Sequence, residues 1–180
     1  MTTDQIESLK YPIGKFQWPE NISPNQLKDC IEQIEALPAR LRQLVNKLSN
    51  DQLDTPYRPE GWTVRQVIHH IPDSHVNGYV RFKWALTEDR PVIKVYEEQH
   101  WAELTDSKSA PVEHSLLLLE ALHSKWTYLL KGLSVEDFGR EYIHPETGRG
   151  ISLAAGTALY AWHGEHHCMH IKRLLEVNGW

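Results

Sequence analysis

The spacing of apolar residues limits most strongly how this chain can fold. From Ser23 to about Leu48, apolar side chains recur at steps of three and four, which is the period of an amphipathic helix. Similar stretches run from Thr63 to about Leu86, from Val112 to Lys131 and from about Ser152 to Val177. No stretch alternates apolar and polar residues over more than a few positions, so the pattern supports no sheet. The sequence therefore predicts an all-α chain with four helices.

The segment between the second and third predicted helices, residues 88–111, has mixed polarity and no sustained period. We expect it to form a long crossover that holds one short helix near Trp101. The second helix has a clear start, because Thr63 and Gln66 can form a capping box in which each side chain satisfies the other's backbone N–H.

A faint internal repeat links the two halves of the chain. Residues 48–53 are followed by a turn and a helix start at Thr63, and residues 133–138 are followed by a turn and a helix start at Ser152. Each half would then read as helix, turn, helix. If the repeat is real, the second and fourth helices are equivalent partners in the fold.

Charge and composition narrow the classes of partner. The formal net charge is -5 at pH 7 and opposite charges are interleaved, which removes the attraction that drives nucleic-acid binding. No apolar run approaches the roughly 20 residues that cross a bilayer. Acidic residues and prolines interrupt the first twenty residues, where a signal peptide would need an apolar segment. The two cysteines, Cys30 and Cys168, are too few for a disulfide framework. We expect a cytoplasmic protein without nucleic-acid or membrane partners.

Histidine is unusually frequent, with eleven in 180 residues, and four of them lie within one short stretch of the last predicted helix. His163 and His167 are four residues apart, so a helix places both imidazoles on one face, where two nitrogens can meet one metal ion. His166 and His170 form a second pair with the same spacing, turned about 100° away. The apolar stripe of this helix does not decide which pair faces the core.

A metal site needs at least a third ligand, and the other histidine cluster is His69–His70 on the second predicted helix. Side chains that project from facing helices are a known way to build such a site in a bundle. Three neutral imidazoles suit zinc, nickel, copper or ferrous iron and leave one position open. The other histidines are interpreted as ordinary core or surface residues: His75, His100, His114, His123 and His144.

The sequence selects no general acid or base. The candidates share only their proximity in sequence to the histidine clusters: Asp73, Glu165, His166 and His170. Cys168 follows His167 directly, but adjacent helical residues point about 100° apart. We therefore expect Cys168 to be a buried, inert thiol rather than a nucleophile.

Two segments resemble the motifs of a known family. Residues 61–71, GWTVRQVIHHI, are similar to the G-W-[ST]-x-x-x-[VI]-x-H-[LI] signature that opens the second helix of the DinB/YfiT-like proteins. Residues 162–167, WHGEHH, resemble the H-x-x-x-H of that family's last helix. The similarity extends over the whole chain, including YPIG at 11–14 and DTPYR at 54–58. It points to the YfiT-like branch of metal-dependent hydrolases.

The resemblance implies one domain over residues 1–180, a four-helix bundle with a long crossover between helices two and three. Residues 1–22 would form an N-terminal extension that packs on this bundle. The family's signature histidine matches His70, and its last-helix pair matches His163 and His167. The implied protein is a homodimer with one divalent metal per subunit, zinc or nickel, held by these three histidines.

Three functions remain open at this point. In the favoured one, the metal activates water against a small-molecule electrophile, because the branch that the chain resembles carries the label of hydrolase. In the second, the same open position binds a thiol, as in an S-transferase that uses bacillithiol or glutathione. In the third, the chain is a metal-binding dimeric module without turnover.

Overall fold

The structure, a computed structural model, describes residues 2–180. In chain order the elements are α1 (Thr3–Lys10), α2 (Pro24–Val45), α3 (Asn50–Leu53), α4 (Val64–Thr87), α5 (Glu98–Trp101), α6 (Thr105–Ser109), α7 (Val112–Lys131), α8 (Val135–Gly139), β1 (Glu141–Ile143), β2 (Gly150–Ser152) and α9 (Leu153–Asn178). The four long helices α2, α4, α7 and α9 confirm the predicted bundle.

The structure corrects the prediction that the chain contains no sheet. The strands β1 and β2 pair as a short antiparallel hairpin in which Tyr142 lies opposite Ile151, and both side chains are buried. Each strand has three residues, which is too short for an alternating pattern to stand out in the sequence. The crossover also differs in detail, because it holds the two short helices α5 and α6 instead of one.

The long helices pack so that α2 and α4 each contact both α7 and α9. Their buried faces form two neighbouring groups of core side chains. One group surrounds Trp126 and includes Ile34, Phe82 and Tyr160. The other includes Leu41, Ile68, Leu119 and Ile171. Because α4 and α9 lie side by side, histidines on these two helices can meet within the bundle.

Both halves of the chain show the same order of elements. In the first half, α2 and α3 are followed by an antiparallel bridge between Pro56 and Thr63 and then by α4. In the second half, α7 and α8 are followed by the hairpin and then by α9. The side chains of Ser49 and Ser134 cap the equivalent short helices α3 and α8. This order supports the internal repeat, in which α4 and α9 are equivalent.

The N-terminal segment lies along α9. The guanidinium of Arg173 donates hydrogen bonds to the carbonyl oxygens of Ser8 and Pro12, at 3.0 and 2.6 Å. These contacts hold residues 8–12 against α9. Among the helices of residues 2–180, none combines the length and the apolar character required to cross a bilayer.

Candidate metal centre

Three histidines from α4 and α9 converge between the two helices: His70, His163 and His167. One ring nitrogen of each lies within 4.8 Å of the others, so the three could hold a metal ion. Nε2 of His70 is 3.2 Å from Nε2 of His163. Two nitrogens bound to a tetrahedral zinc at about 2.0–2.1 Å lie about 3.3 Å apart. The observed separation therefore fits two ligands of one metal.

The close approach of α4 and α9 depends on a glycine. A Cβ added at Gly78 on α4 would lie 2.2 Å from Cζ of Tyr160 on α9, so a larger residue would push the helices apart or displace the ring. The start of α4 is fixed by Thr63 and Gln66, whose reciprocal capping bonds are 2.9 and 3.1 Å long. His70 therefore lies at a defined height in the bundle, opposite the histidines of α9.

Burial keeps the three imidazoles neutral. Burial, together with smaller contributions from the nearby histidines His166 and His170, lowers the pKa of His70 to about 3. Burial is also the largest cause for His163 and His167, whose pKa values lie well below 6.5. The neutral imidazole is the form that binds a metal ion, so the metal would not have to compete with protons near pH 7.

The second histidine pair of α9 is also buried, because the N-terminal segment covers it. His166 and His170 have exposed fractions of 7% and 4%. The ring of His170 stacks on Tyr57, and its Nε2 donates to the carbonyl oxygen of Lys10 at 3.0 Å. The bundle thus buries His167 and partly buries His163, while the segment around Lys10 covers the other pair.

The second pair and His167 form another group whose nitrogens lie within 4.8 Å of one another. The bond to Lys10 already uses Nε2 of His170, so only its Nδ1 could serve as a ligand there. Nδ1 of His167 lies 3.4 Å from Nδ1 of His170, and a hydrogen bond between them satisfies both Nδ1 atoms. The group formed by His70, His163 and His167 is therefore the better candidate.

A pocket of about 410 Å³ leads to the candidate ligands. Its wall combines the N-terminal segment, the turn before α4, the start of α5 and α9: Lys10, Tyr11, Tyr57, Arg58, Glu60, Trp62, Glu98, Gln99, Trp162, His166 and His170. The ring of Trp62 lies 4.7 Å from that of His70. Glu60 adopts a left-handed backbone with φ 56°, which is uncommon outside glycine. The sequence pointed to His166 and His170 as acid–base candidates, but it gave the other wall residues no role, although several directly precede the histidine helix.

The four acid–base candidates separate in the structure. His166 and His170 line the pocket. Glu165 lies on another face of α9, where it pairs with Arg40. Asp73 is outside the lining of the pocket, and burial raises its pKa to about 6. The structure therefore brings two of the four candidates to the site, and the identity of a proton carrier stays a prediction.

Two histidines interpreted as ordinary core residues lie directly behind a candidate ligand. Nε2 of His75 is 3.0 Å from Nδ1 of His163, and Nδ1 of His75 is 2.8 Å from Nε2 of His123. Nδ1 of His123 in turn lies 2.5 Å from the carbonyl oxygen of Ile34. No spacing in the sequence could link His123 on α7 to the site, because its contact with His75 depends on how α4 and α7 pack.

Cys168 agrees with its expected inert role. The side chain is buried, and burial raises the pKa of its thiol to about 12, so the thiolate is scarce at neutral pH.

The fold and the site define a four-helix bundle with a histidine cluster between two long helices that could hold a metal ion. The chain belongs to the DinB superfamily, whose family model matches residues 33–171.

Several relatives share nearly the full length of the chain. A protein of Bacillus cereus (strain 03BB102) named "Putative metal-dependent hydrolase" is 50% identical over 175 residues, covering 97% of this chain and 100% of the relative. The solved structure of YfiT from Bacillus subtilis, described as "a probable metal-dependent hydrolase with an unusual four-helix bundle topology", is 48% identical with a TM-score of 0.94. That match covers 96% of this chain and 99% of YfiT.

A more distant structure shares the fold. The mycothiol-dependent maleylpyruvate isomerase has a TM-score of 0.65 and 14% identity, and the match covers 81% of this chain and 60% of the isomerase.

Proposed function

We propose that this protein is a metal-dependent hydrolase that acts on a small-molecule substrate. The observation that carries the proposal is the convergence of His70, His163 and His167 at a pocket of about 410 Å³. Three protein ligands and an open side are typical of catalytic metal sites, whereas structural sites have four closed ligands. The names of the relatives from Bacillus cereus and Bacillus subtilis support the same class of activity.

We assign the role of metal ligand to the same three histidines. Imidazole nitrogens suit zinc and nickel, which are the metals that we propose. When bound, such a metal supplies Lewis acidity, which activates water near neutral pH and polarises a carbonyl group. The neutral state of the ligands leaves the positive charge of the metal uncompensated, which favours this chemistry.

The surrounding side chains would bind and orient the substrate. Nδ1 of His166 is buried and has no hydrogen-bond partner among the described residues, so it can pair with a polar group of a substrate in the pocket. Lys10 and Arg58 place positive charge on the pocket wall. Trp62 and Trp162 supply apolar surface that limits the access of water. We propose His166 as the first residue to test as a proton carrier.

The test is turnover of the metal-reconstituted protein on panels of small esters and amides. We expect hydrolysis that depends on added zinc or nickel and that is lost in His70→Ala. His114→Ala is the matched control, because His114 is exposed and outside the pocket. Hydrolysis that persists at the same rate in the metal-free His70→Ala variant would contradict the proposal.

A thiol-dependent S-transferase is the second candidate. The positive side chains Lys10 and Arg58 suit the carboxylates of a low-molecular-weight thiol, and the mycothiol-dependent isomerase shares the fold. The same assay should therefore include glutathione and bacillithiol with small electrophiles. A thioether product that requires the thiol, without hydrolysis, would favour the transferase. Metal binding without turnover in any panel would favour the non-catalytic module.

A further inference from the structure

A row of three imidazoles runs from the centre of the bundle to a candidate ligand. It begins at the carbonyl oxygen of Ile34 on α2, passes through His123 on α7 and His75 on α4, and ends at His163 on α9. The links measure 2.5, 2.8 and 3.0 Å. His75 and His123 have exposed fractions of 0% and 1%. All four long helices thus contribute to one buried row of hydrogen bonds.

The carbonyl oxygen at the start of this row sets the direction of every hydrogen bond in it. A carbonyl oxygen only accepts, so Nδ1 of His123 must carry a proton. In the part of the chain that the structure describes, neither His123 nor His75 pairs with a carboxylate, and burial without such a partner keeps both imidazoles neutral. Nε2 of His123 is therefore an acceptor, and Nδ1 of His75 is the donor to it.

The same reasoning reaches the ligand. Since Nδ1 of His75 carries the proton of its neutral ring, Nε2 of His75 is an acceptor. Nδ1 of His163 then donates to it across 3.0 Å. The remaining nitrogen of His163, Nε2, keeps its lone pair and faces His70 at 3.2 Å. The backbone carbonyl of Ile34, three hydrogen bonds away, thereby determines which nitrogen of His163 is free to bind a metal.

A shorter row ends at the other α9 ligand. The carbonyl oxygen of Lys10, in the last turn of α1, accepts from Nε2 of His170 at 3.0 Å. Nδ1 of His170 is therefore an acceptor, and Nδ1 of His167 lies 3.4 Å from it. Nδ1 of His167 then donates to Nδ1 of His170, and Nε2 of His167 keeps its lone pair.

We propose that the carbonyl oxygens of Ile34 and Lys10 set the tautomers of His163 and His167 through these two imidazole rows, so that each ligand offers Nε2 to the metal. The inference rests on the proposed metal site. His75, His123 and His170 are then positioning residues, which act through the ligands and do not touch the metal. A partner that fixes the ring and tautomer of a ligating histidine raises metal affinity about 10- to 100-fold.

The direct test is long-range ¹H–¹⁵N NMR of metal-free protein with ¹⁵N-labelled histidine near pH 7. We expect His123, His75 and His163 to carry the proton on Nδ1, although neutral histidine in water favours the proton on Nε2. For the second row, we expect the proton on Nε2 of His170 and on Nδ1 of His167. Resonances are assigned by the loss of single peaks in histidine variants. A proton on Nε2 of His163 in the metal-free protein would overturn the proposal.

Variants of His123 test the coupling. His123→Leu removes the acceptor for His75, and we expect His163 to lose its uniform tautomer and zinc binding to weaken about 10- to 100-fold. His123→Gln places an amide oxygen near the position of Nε2, so we expect it to restore the tautomer and most of the affinity. Zinc affinity is measured by competition with a chromogenic chelator. His123→Leu with an unchanged tautomer at His163 would overturn the proposal.

The matched control is His69→Gln. His69 is also buried on α4 and bonded to a backbone carbonyl, that of Ala110, but it lies outside both rows. We expect unchanged tautomers at His163 and His167 in this variant.

If His123→Leu does not fold, the wild-type tautomers and His123→Gln still decide the question. Wild-type protein with the expected tautomers but without zinc binding would support the carbonyl-set tautomers and contradict the proposed metal site, so the two failures are distinguishable.

Discussion

Nε2 of His70 lies 3.2 Å from Nε2 of His163, although the two residues are 93 positions apart in the sequence. Burial lowers the pKa values of both residues, so both imidazoles are neutral and no positive charge on them opposes a metal ion. A shared metal ion is a natural partner for two such nitrogens. The first prediction follows from this relationship.

Replacing any one of His70, His163 and His167 with alanine should abolish stoichiometric metal binding. Each change leaves two imidazoles, which are fewer protein ligands than catalytic zinc sites use. The measurement is metal content by mass spectrometry after dialysis, with His114→Ala as the control. One full equivalent of metal in the His70→Ala, His163→Ala double variant would exclude the assignment.

Removing the metal should lower the melting temperature while the helices remain. The two groups of core side chains are buried without any contribution from the histidines, so the bundle does not need the metal in order to fold. Binding to the folded state alone contributes about 2.7 kcal/mol when free metal is at 100 times its Kd. Circular dichroism before and after chelation measures both effects. Loss of most helical signal at room temperature would show that the metal is structural.

The stability of the metal-free protein should fall as the pH drops from about 6.5 toward 4. Burial lowers the pKa of His123 to about 4 from 6.5, opposed by the bond to Ile34. The unfolded chain therefore binds more protons in this window, and the free energy of unfolding decreases as the pH falls. For His123 the loss is on the order of 3 kcal/mol.

Urea unfolding at pH 7.5, 5.5 and 4.5 measures this dependence. His123→Gln lacks the titrating group, so the stability difference between wild type and variant should shrink as the pH falls. A difference that stays constant over this range would contradict the assigned pKa.

Gly78→Ala should destabilise the protein by about 1–3 kcal/mol, because overpacking outweighs the better helix propensity of alanine. The added Cβ would approach Cζ of Tyr160 to 2.2 Å, and Tyr160 is buried and cannot easily move. Gly139→Ala is the control, since nothing lies within 4 Å of its Cβ position. Thermal unfolding of both variants gives the comparison. Equal stabilities would mean that α4 and α9 can separate at little cost.

The long helices were predictable because their apolar period and capping residues are local signals. Thr63 and Gln66, for example, form the capping box that the sequence indicated. The ligand set was less accessible, since periodicity did not decide between the two histidine pairs of α9, and only the resemblance selected His70, His163 and His167. Their convergence depends on how α4 and α9 pack, which no local signal encodes.

The histidine rows could not be predicted for the same reason. The link between His75 and His123 joins α4 to α7, and the link from His170 reaches the N-terminal segment at Lys10. The hairpin was missed because three-residue strands carry too little periodicity. What the sequence supplied was the inventory of histidines, and what it lacked was the set of contacts between distant helices.

The repeated order of elements bears on how such a site could arise during evolution. The starts of α4 and α9, at the caps Thr63 and Ser152, are 152 - 63 = 89 residues apart, so Ser74 and Gly78 stand where α9 has His163 and His167. Two identical halves would carry the same side chains at these equivalent positions. If the halves arose by duplication, the present set of one ligand from α4 and two from α9 dates from their later divergence.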